Sequence, residues 1–193
     1  MKQAARGASM SEDAERYLVV RLTALGDILH TLPAVAALRA AHPNSRIDWV
    51  VERKWAPVLE GSPALNEVIP FERRSVWGTM ECVQRLRRNR YTCAIDFQGL
   101  YKSSVLALLS GAPRRIGFER AWAREPGAAL LYSERVAPVG RHVAELNYSL
   151  AEATGASRPA APAYPLRVPA GGAASIRSRL QERGIGEYIV VGP

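Results

Sequence analysis

The sequence predicts an α/β protein: a Rossmann-like parallel sheet with helices on both faces. Two observations carry this. Short β-branched and apolar runs alternate with longer amphipathic ones, and the segments joining them are short.

The elements follow in order. Tyr17–Leu22 (YLVVRL) is a strand, and Ile28–Ala41 a helix with Ile28, Leu32, Val35 and Ala36 on one face. A turn at Pro43-Asn44 leads to a second strand, Arg46–Val51, and a short helix, Trp55–Leu59, is closed by Gly61-Ser62-Pro63. Glu67–Phe71 is the third strand, Val76–Arg88 a helix, Cys93–Phe97 the fourth strand. Ser103–Ser110 forms a helix stopped by Gly111, Arg115–Phe118 a fifth strand, and His142–Ala153 a further helix. Residues 1–16 read as a polar, flexible leader and 17–155 as one domain. Residues 156–172, rich in Ala, Pro and Gly, read as a linker. Residues 173–193 hold a helix, Ala173–Arg183, then the opening strand of a new buried unit in YIVVGP, as in a truncated second domain.

Composition narrows the function classes. No apolar run approaches the roughly 20 residues needed to span a bilayer, and the N-terminus lacks the apolar core of a signal peptide. Cys82 and Cys93 form no CxxC and have no histidine nearby, so a reduced, cytoplasmic protein without a metal site is expected. The net charge of +8 favours an anionic partner. Much of the excess lies in Arg85–Arg90, read first as a solvated helix face, and in Arg114–Arg124. These arginines lack the interleaved aromatics of a nucleic-acid stacking platform, and the phosphates of a small molecule or a lipid headgroup suit them equally.

The first strand–helix junction is the informative place, because sheets of this class bind ligands at the carboxyl ends of their strands. A dinucleotide site there needs G-x-G-x-x-G, and Thr23-Ala24-Leu25-Gly26-Asp27 offers one glycine and an acid that repels phosphate. Asp27 has two readings: a helix N-cap, or a functional carboxylate. Pro33 bears on the choice. A helix starting at Asp27 either kinks at Pro33 or gives way to one capped by Thr31, which leaves Asp27 in the loop. A carboxylate beside a helix N-terminus is stabilised in its ionised form, as a general base requires, at some expense in basicity. Gln98, Lys102 and Ser103 follow the fourth strand, with Gly99 allowing a close turn. Arg73 and Arg74 follow the third strand, and Arg124-Glu125-Pro126 the fifth. Basic side chains thus emerge around one acid, an arrangement suited to an acidic acceptor held beside a base. His30 and His142 read as packing or hydrogen-bonding residues.

The pieces LGDILHTLPAVAALRAAHP, WVVE, IDFQGLYKS and REP, in this order, resemble glycosyltransferase family 9, the lipopolysaccharide heptosyltransferases, and match the type I enzymes best. The resemblance covers Tyr17 to Gly155. It implies the N-terminal, acceptor-binding domain of a GT-B fold, with a second domain holding the sugar-nucleotide donor ADP-heptose as substrate and no further cofactor. It implies inverting transfer of heptose to the Kdo of a lipid A acceptor, with Asp27 as general base. Arg73 or Arg74, Lys102 and Arg124 would hold the anionic glycolipid, with Gln98 and Ser103 beside them. Cytoplasmic localisation, peripheral contact with the inner membrane and no nucleic-acid partner go with this. The chain departs from the family pattern at Leu146, where a basic residue often follows HVxE. Two alternatives stay open: another family 9 enzyme such as heptosyltransferase II, and a non-catalytic module that binds anionic glycolipid.

Overall fold

A computed structural model describes residues 15–72, 74–168 and 171–188. Residues 1–14 of the expected leader, Arg73 and all but the first residue of the strand Tyr188–Val191 lie outside these.

Six strands form one sheet: β1 (Arg16–Val20), β2 (Arg46–Glu52), β3 (Glu67–Phe71), β4 (Cys93–Asp96), β5 (Arg114–Phe118) and β6 (Glu134–Val136). Their spatial order is β3-β2-β1-β4-β5-β6 and every pairing is parallel. This is a doubly wound, Rossmann-like order, whose direction of winding reverses between β1 and β4. Parallel neighbours need crossovers, and α1 (Leu25–Ala41), α2 (Ala56–Leu59), α3 (Val76–Arg88), α4 (Tyr101–Leu109) and α5 (Val143–Glu152) lie between or after the strands.

The pleat divides the core in two. Tyr17, Val19, Trp49, Val51, Ile95, Phe97 and Ile116 face one side with Ile28, Leu32 and Val35 of α1 and Leu150 of α5. Leu18, Val20, Val50, Ile69 and Ala94 face the other with Cys82 and Leu86 of α3 and Leu106 of α4. Both cysteines are free and buried, and burial pushes the Cys93 thiol up to about 12, so both pack as small hydrophobes.

Helix α1 starts earlier than the sequence predicts, at Leu25, and runs through Pro33. Two expectations fall with that. Ala24 occupies the N-cap position without a side-chain hydrogen bond, so neither Asp27 nor Thr31 is the cap. Thr31 is buried and its hydroxyl donates to the Asp27 carbonyl at 2.8 Å. Asn147 of α5 then donates to Thr31 Oγ1 at 3.2 Å and to the His30 carbonyl at 3.0 Å, tying α1 to α5 around the proline turn. His142 is the N-cap of α5 and meets His30 edge-on, ring centroids 4.9 Å apart.

The 3-10 helix Pro126–Leu131 and strand β6 were not legible in the sequence. Strand β6 is only three residues long and polar at its start, and an Arg114–Glu134 pair fastens it to β5, with Arg114 Nε donating to Glu134 Oε1 at 2.7 Å and Nη2 to Oε2 at 3.0 Å. The leader boundary also moves, because β1 begins at Arg16. Arg85–Arg90 behaves as an exposed helix end, with Arg85 paired to Glu67 and Arg87 donating to the Leu109 carbonyl at 3.0 Å. Residues 156–168 form no regular element, and α6 (Gly172–Glu182) buries none of its described side chains.

The Arg114 guanidinium holds the Glu134 carboxyl below its ordinary value of 4.5. An acid depressed in the folded state stabilises the fold above its unfolded value and loses that contribution as pH falls through the folded one. Thermal melts of Glu134→Gln should therefore lose less stability than wild type as pH drops below about 4.5. The difference should be small and salt-sensitive, since both partners are well exposed.

Candidate active site

The carboxyl ends of β1 and β4, where the winding reverses, carry the polar cluster. Its foundation is Asp96, the last residue of β4, wholly buried. A buried carboxylate needs hydrogen bonds, and Asp96 accepts from the Gln98 and Gly99 amides at 2.8 and 3.3 Å and from the hydroxyls of Ser103 at 2.8 Å and Tyr132 at 2.7 Å. Burial drives this carboxyl above its ordinary value against the pull of those donors. Tyr132 reaches it over Gly117 of β5, where a Cβ would stand 2.3 Å from the tyrosine ring.

Gln98 continues the framework. Its Oε1 accepts from the Leu22 amide at 2.8 Å and its Nε2 donates to Thr23 Oγ1 at 3.0 Å, which fixes the loop leading into α1. Ser103 is buried, donates to Asp96 and accepts from the Leu100 amide at 3.1 Å. The structure thus moves Ser103 from ligand contact to the floor of the site, because a buried carboxylate takes its hydroxyl. Gln98 is likewise buried and bonded at both ends, which fits a loop brace rather than the ligand contact expected of it.

Asp27 lies on the first turn of α1, its side chain 19% exposed. Two arginines meet its Oδ2: Arg124 Nη2 at 2.8 Å and Arg21 Nη2 at 2.9 Å, the second off the hydrogen-bond axis. Oδ1 makes no hydrogen bond among the described residues. Arg124 is half exposed; Arg21 is 2% exposed, and its Nη1 donates to the Phe97 carbonyl. Burial pushes the Arg21 guanidinium down to about 10, the nearby carboxylates pulling the other way. The sequence reading missed Arg21. The available signal was a charged residue between Val20 and Leu22 in an otherwise apolar strand run.

The REP tripeptide owes its position to Gly99. That glycine has φ +68°, and a Cβ there would lie 3.2 Å from the Arg124 amide. The Glu125 amide donates to the Gly99 carbonyl at 2.9 Å, and the Glu125 carboxylate accepts from the Tyr101 amide at the start of α4. Beside Asp27 lies a cavity of about 110 Å³ lined by Arg21, Arg124, Phe118, Trp122 and Leu146. Leu146 thus supplies an apolar wall.

Two further expected residues, Lys102 and Arg74, stand at the same sheet edge. Lys102 Nζ is 3.8 Å from Glu52 Oε1, and the Glu52 amide donates to the Leu22 carbonyl at 3.2 Å, linking the ends of β1 and β2. Arg74 lines an open hollow of about 510 Å³ with Arg53, Lys54, Phe71, Glu52 and Glu72. Asp27, Gln98, Lys102 and Arg124 therefore share one edge, as the loops following β1, β4 and β5 require. Lys102 faces a carboxylate, and Arg124 contacts Asp27 directly. Among the described residues, no group of His, Cys, Asp and Glu side chains is arranged to hold a metal.

Comparison with known proteins sharpens this. The family model for glycosyltransferase family 9 (heptosyltransferase) matches residues 79–171. Lipopolysaccharide heptosyltransferase 1 of Pseudomonas aeruginosa is 37% identical over 161 residues, covering 72% of this chain and 45% of its own length. The chain belongs to glycosyltransferase family 9. Lipopolysaccharide heptosyltransferase 1 of Escherichia coli K12 is 31% identical over 145 residues, covering 70% of this chain and 44% of its own. The solved structure of E. coli heptosyltransferase WaaC with ADP superposes with a TM-score of 0.70 at 32% identity, over 77% of this chain and 50% of that one. The six-stranded sheet is thus the Rossmann-like sheet of a GT-B family member. This family 9 chain spans about half the length of the curated relatives it matches.

Gly99→Ala should lower stability by about 1–2 kcal/mol, since a β-carbon penalises the left-handed conformation, and should also push on the Arg124 backbone. Chemical denaturation measures the first effect. A changed amide resonance of Arg124 reports the second.

Proposed function

We propose that this chain supplies the acceptor half of an inverting heptosyltransferase of lipopolysaccharide core biosynthesis. The activity is transfer of heptose from ADP-heptose to the Kdo of a lipid A acceptor. The observation that supports it most is Asp27: a carboxylate at the reversal point of the sheet, with one oxygen beside two guanidinium groups and the other without a hydrogen bond among the described residues.

The chemistry follows from that geometry. Asp27 Oδ1 takes the proton of an acceptor hydroxyl as its oxygen attacks the anomeric carbon of the heptose. The new glycosidic C–O bond forms while the bond from that carbon to the diphosphate oxygen breaks, and ADP leaves with the electron pair. Attack opposite the leaving group inverts the carbon. Arg124, half exposed beside Asp27, and the cations Lys102 and Arg74 further along the edge are placed to draw the carboxylates and phosphates of the acceptor. A second, donor-holding domain brings the reacting groups together, and that proximity supplies much of the rate.

Kdo-lipid A lies in a membrane, so the protein works in the cytoplasm at the inner-membrane face, drawn there by its +8 charge. The relatives named heptosyltransferase 1 favour type I transfer over type II. A passive glycolipid-binding module is the rival from another class. It gains nothing from a carboxylate at the ligand edge, and Asp27 favours the enzyme.

In the full-length protein Asp27→Asn should cut transfer by about 10²–10⁴-fold, the usual cost of losing a general base, and should also lower the melting temperature, because buried Arg21 loses its counter-charge. Near-normal transfer would show that Asp27 is not the base. The 193-residue polypeptide made by itself should bind ADP negligibly by calorimetry. It should hold a Kdo-containing acceptor weakly, with affinity falling as salt rises. Clear ADP binding would place the donor on the wrong domain.

A further inference from the structure

Three features single out Arg21. It is rigid: 2% exposed, with Nη1 bonded to the Phe97 carbonyl and its own carbonyl accepting the Trp49 indole N–H at 3.0 Å. Its Nη2 touches the same Asp27 oxygen as Arg124, 2.9 Å against 2.8 Å. Its Nε and Nη2 are buried and make no hydrogen bond among the described residues, so the guanidinium is held at the sheet edge chiefly by the Phe97 carbonyl and by charge attraction to Asp27.

We propose that Arg21 is the positioning residue of Asp27, fixing Oδ2 so that Oδ1 stays the proton-accepting oxygen when Arg124 turns to the acceptor. This rests on the reading of Asp27 as general base. Arg124 is half exposed and follows the last residues of the β5 loop, so an anion reaching this face competes with Asp27 for it. No anion can compete for Arg21 in the same way, because its guanidinium is closed off from solvent. Apart from the two arginines, the Asp27 carboxylate has no partner among the described residues, and a Cβ at neighbouring Gly26 would meet nothing within 4 Å. Without Arg21, the carboxylate would be free to change rotamer as Arg124 left it. Rates fall when a reacting group is misplaced by even an ångström or so. Lysine would supply the charge but not the planar fork that reaches Phe97 and Asp27 from two nitrogens.

Side-chain scalar couplings of Asp27, measured by NMR on this 193-residue chain, test the role without activity. Wild type and Arg124→Gln should show one Asp27 rotamer, the double variant Arg21→Met/Arg124→Gln an average, and Arg21→Lys/Arg124→Gln an intermediate. In the full-length protein, Arg21→Met should lower kcat on the order of 10²-fold with acceptor KM changed by less than about twofold, and Arg21→Lys should recover about tenfold of the loss. Arg124→Gln should instead raise the acceptor KM. If Arg21→Met fails to fold, Asp27→Asn tests the pair from its exposed side. The Arg21 Nη signals, kept apart in wild type by hindered rotation, should then merge. A single fixed Asp27 rotamer in Arg21→Met/Arg124→Gln, or Nη signals indifferent to Asp27→Asn, overturns this proposal and leaves the base reading intact. Absence of heptose transfer by the wild-type full-length protein overturns both.

Discussion

The buried carboxylate of Asp96 is the constraint on which the site depends. An acid without solvent must be satisfied by the protein, and its donors come from three different places: the turn after β4, the first turn of α4, and Tyr132 beyond the 3-10 helix. Meeting that demand fixes the turn that carries Gln98, and Gln98 fixes the loop before α1. The same turn presents Gly99 to the loop that carries Arg124. A group that touches no ligand thus sets the relative placement of Asp27 and Arg124.

The site itself is an uneven clamp. Asp27 has one oxygen between a buried arginine and a half-exposed one, and the difference in burial separates their roles. A desolvated cation whose counter-charge is removed is costly, so the Arg21 contact is durable. A solvated pair is worth little, so the Arg124 contact is exchangeable. In the proposed reaction an acceptor bearing carboxylates or phosphates would take the exposed partner without disturbing the buried one. The apolar wall at Leu146 shapes the cavity beside them in a way a basic residue would not.

The reassignment of Ser103 and the bracing role of Gln98 share one cause. Both follow a strand at the ligand-binding edge, and position alone suggests ligand contact. Each instead satisfies a buried group created by folding, Ser103 at Asp96 and Gln98 at the Leu22 amide. Polar residues at such an edge divide into those that build the floor and those that face the cleft. Burial, which a linear sequence does not display, decides between them.

The sequence by itself determined the alternating strands and helices, the parallel sheet, and the shared edge of Asp27, Lys102 and Arg124. These are written in local patterns: continuous apolar runs, helical periodicity, and the rule that loops after parallel strands emerge at one edge. Only the tertiary structure decided the start of α1, the added strand β6 and the identity of Asp27's partners. Helix α1 accommodates Pro33 because Thr31 and Asn147 bond around that turn, and Asn147 is 116 residues from Thr31. Strand β6 is too short for a periodic signal and is held by Arg114 across the sheet. The meaning of Arg21 and Asp96 depends on which groups stand opposite them once desolvated, and those partners come from distant parts of the chain.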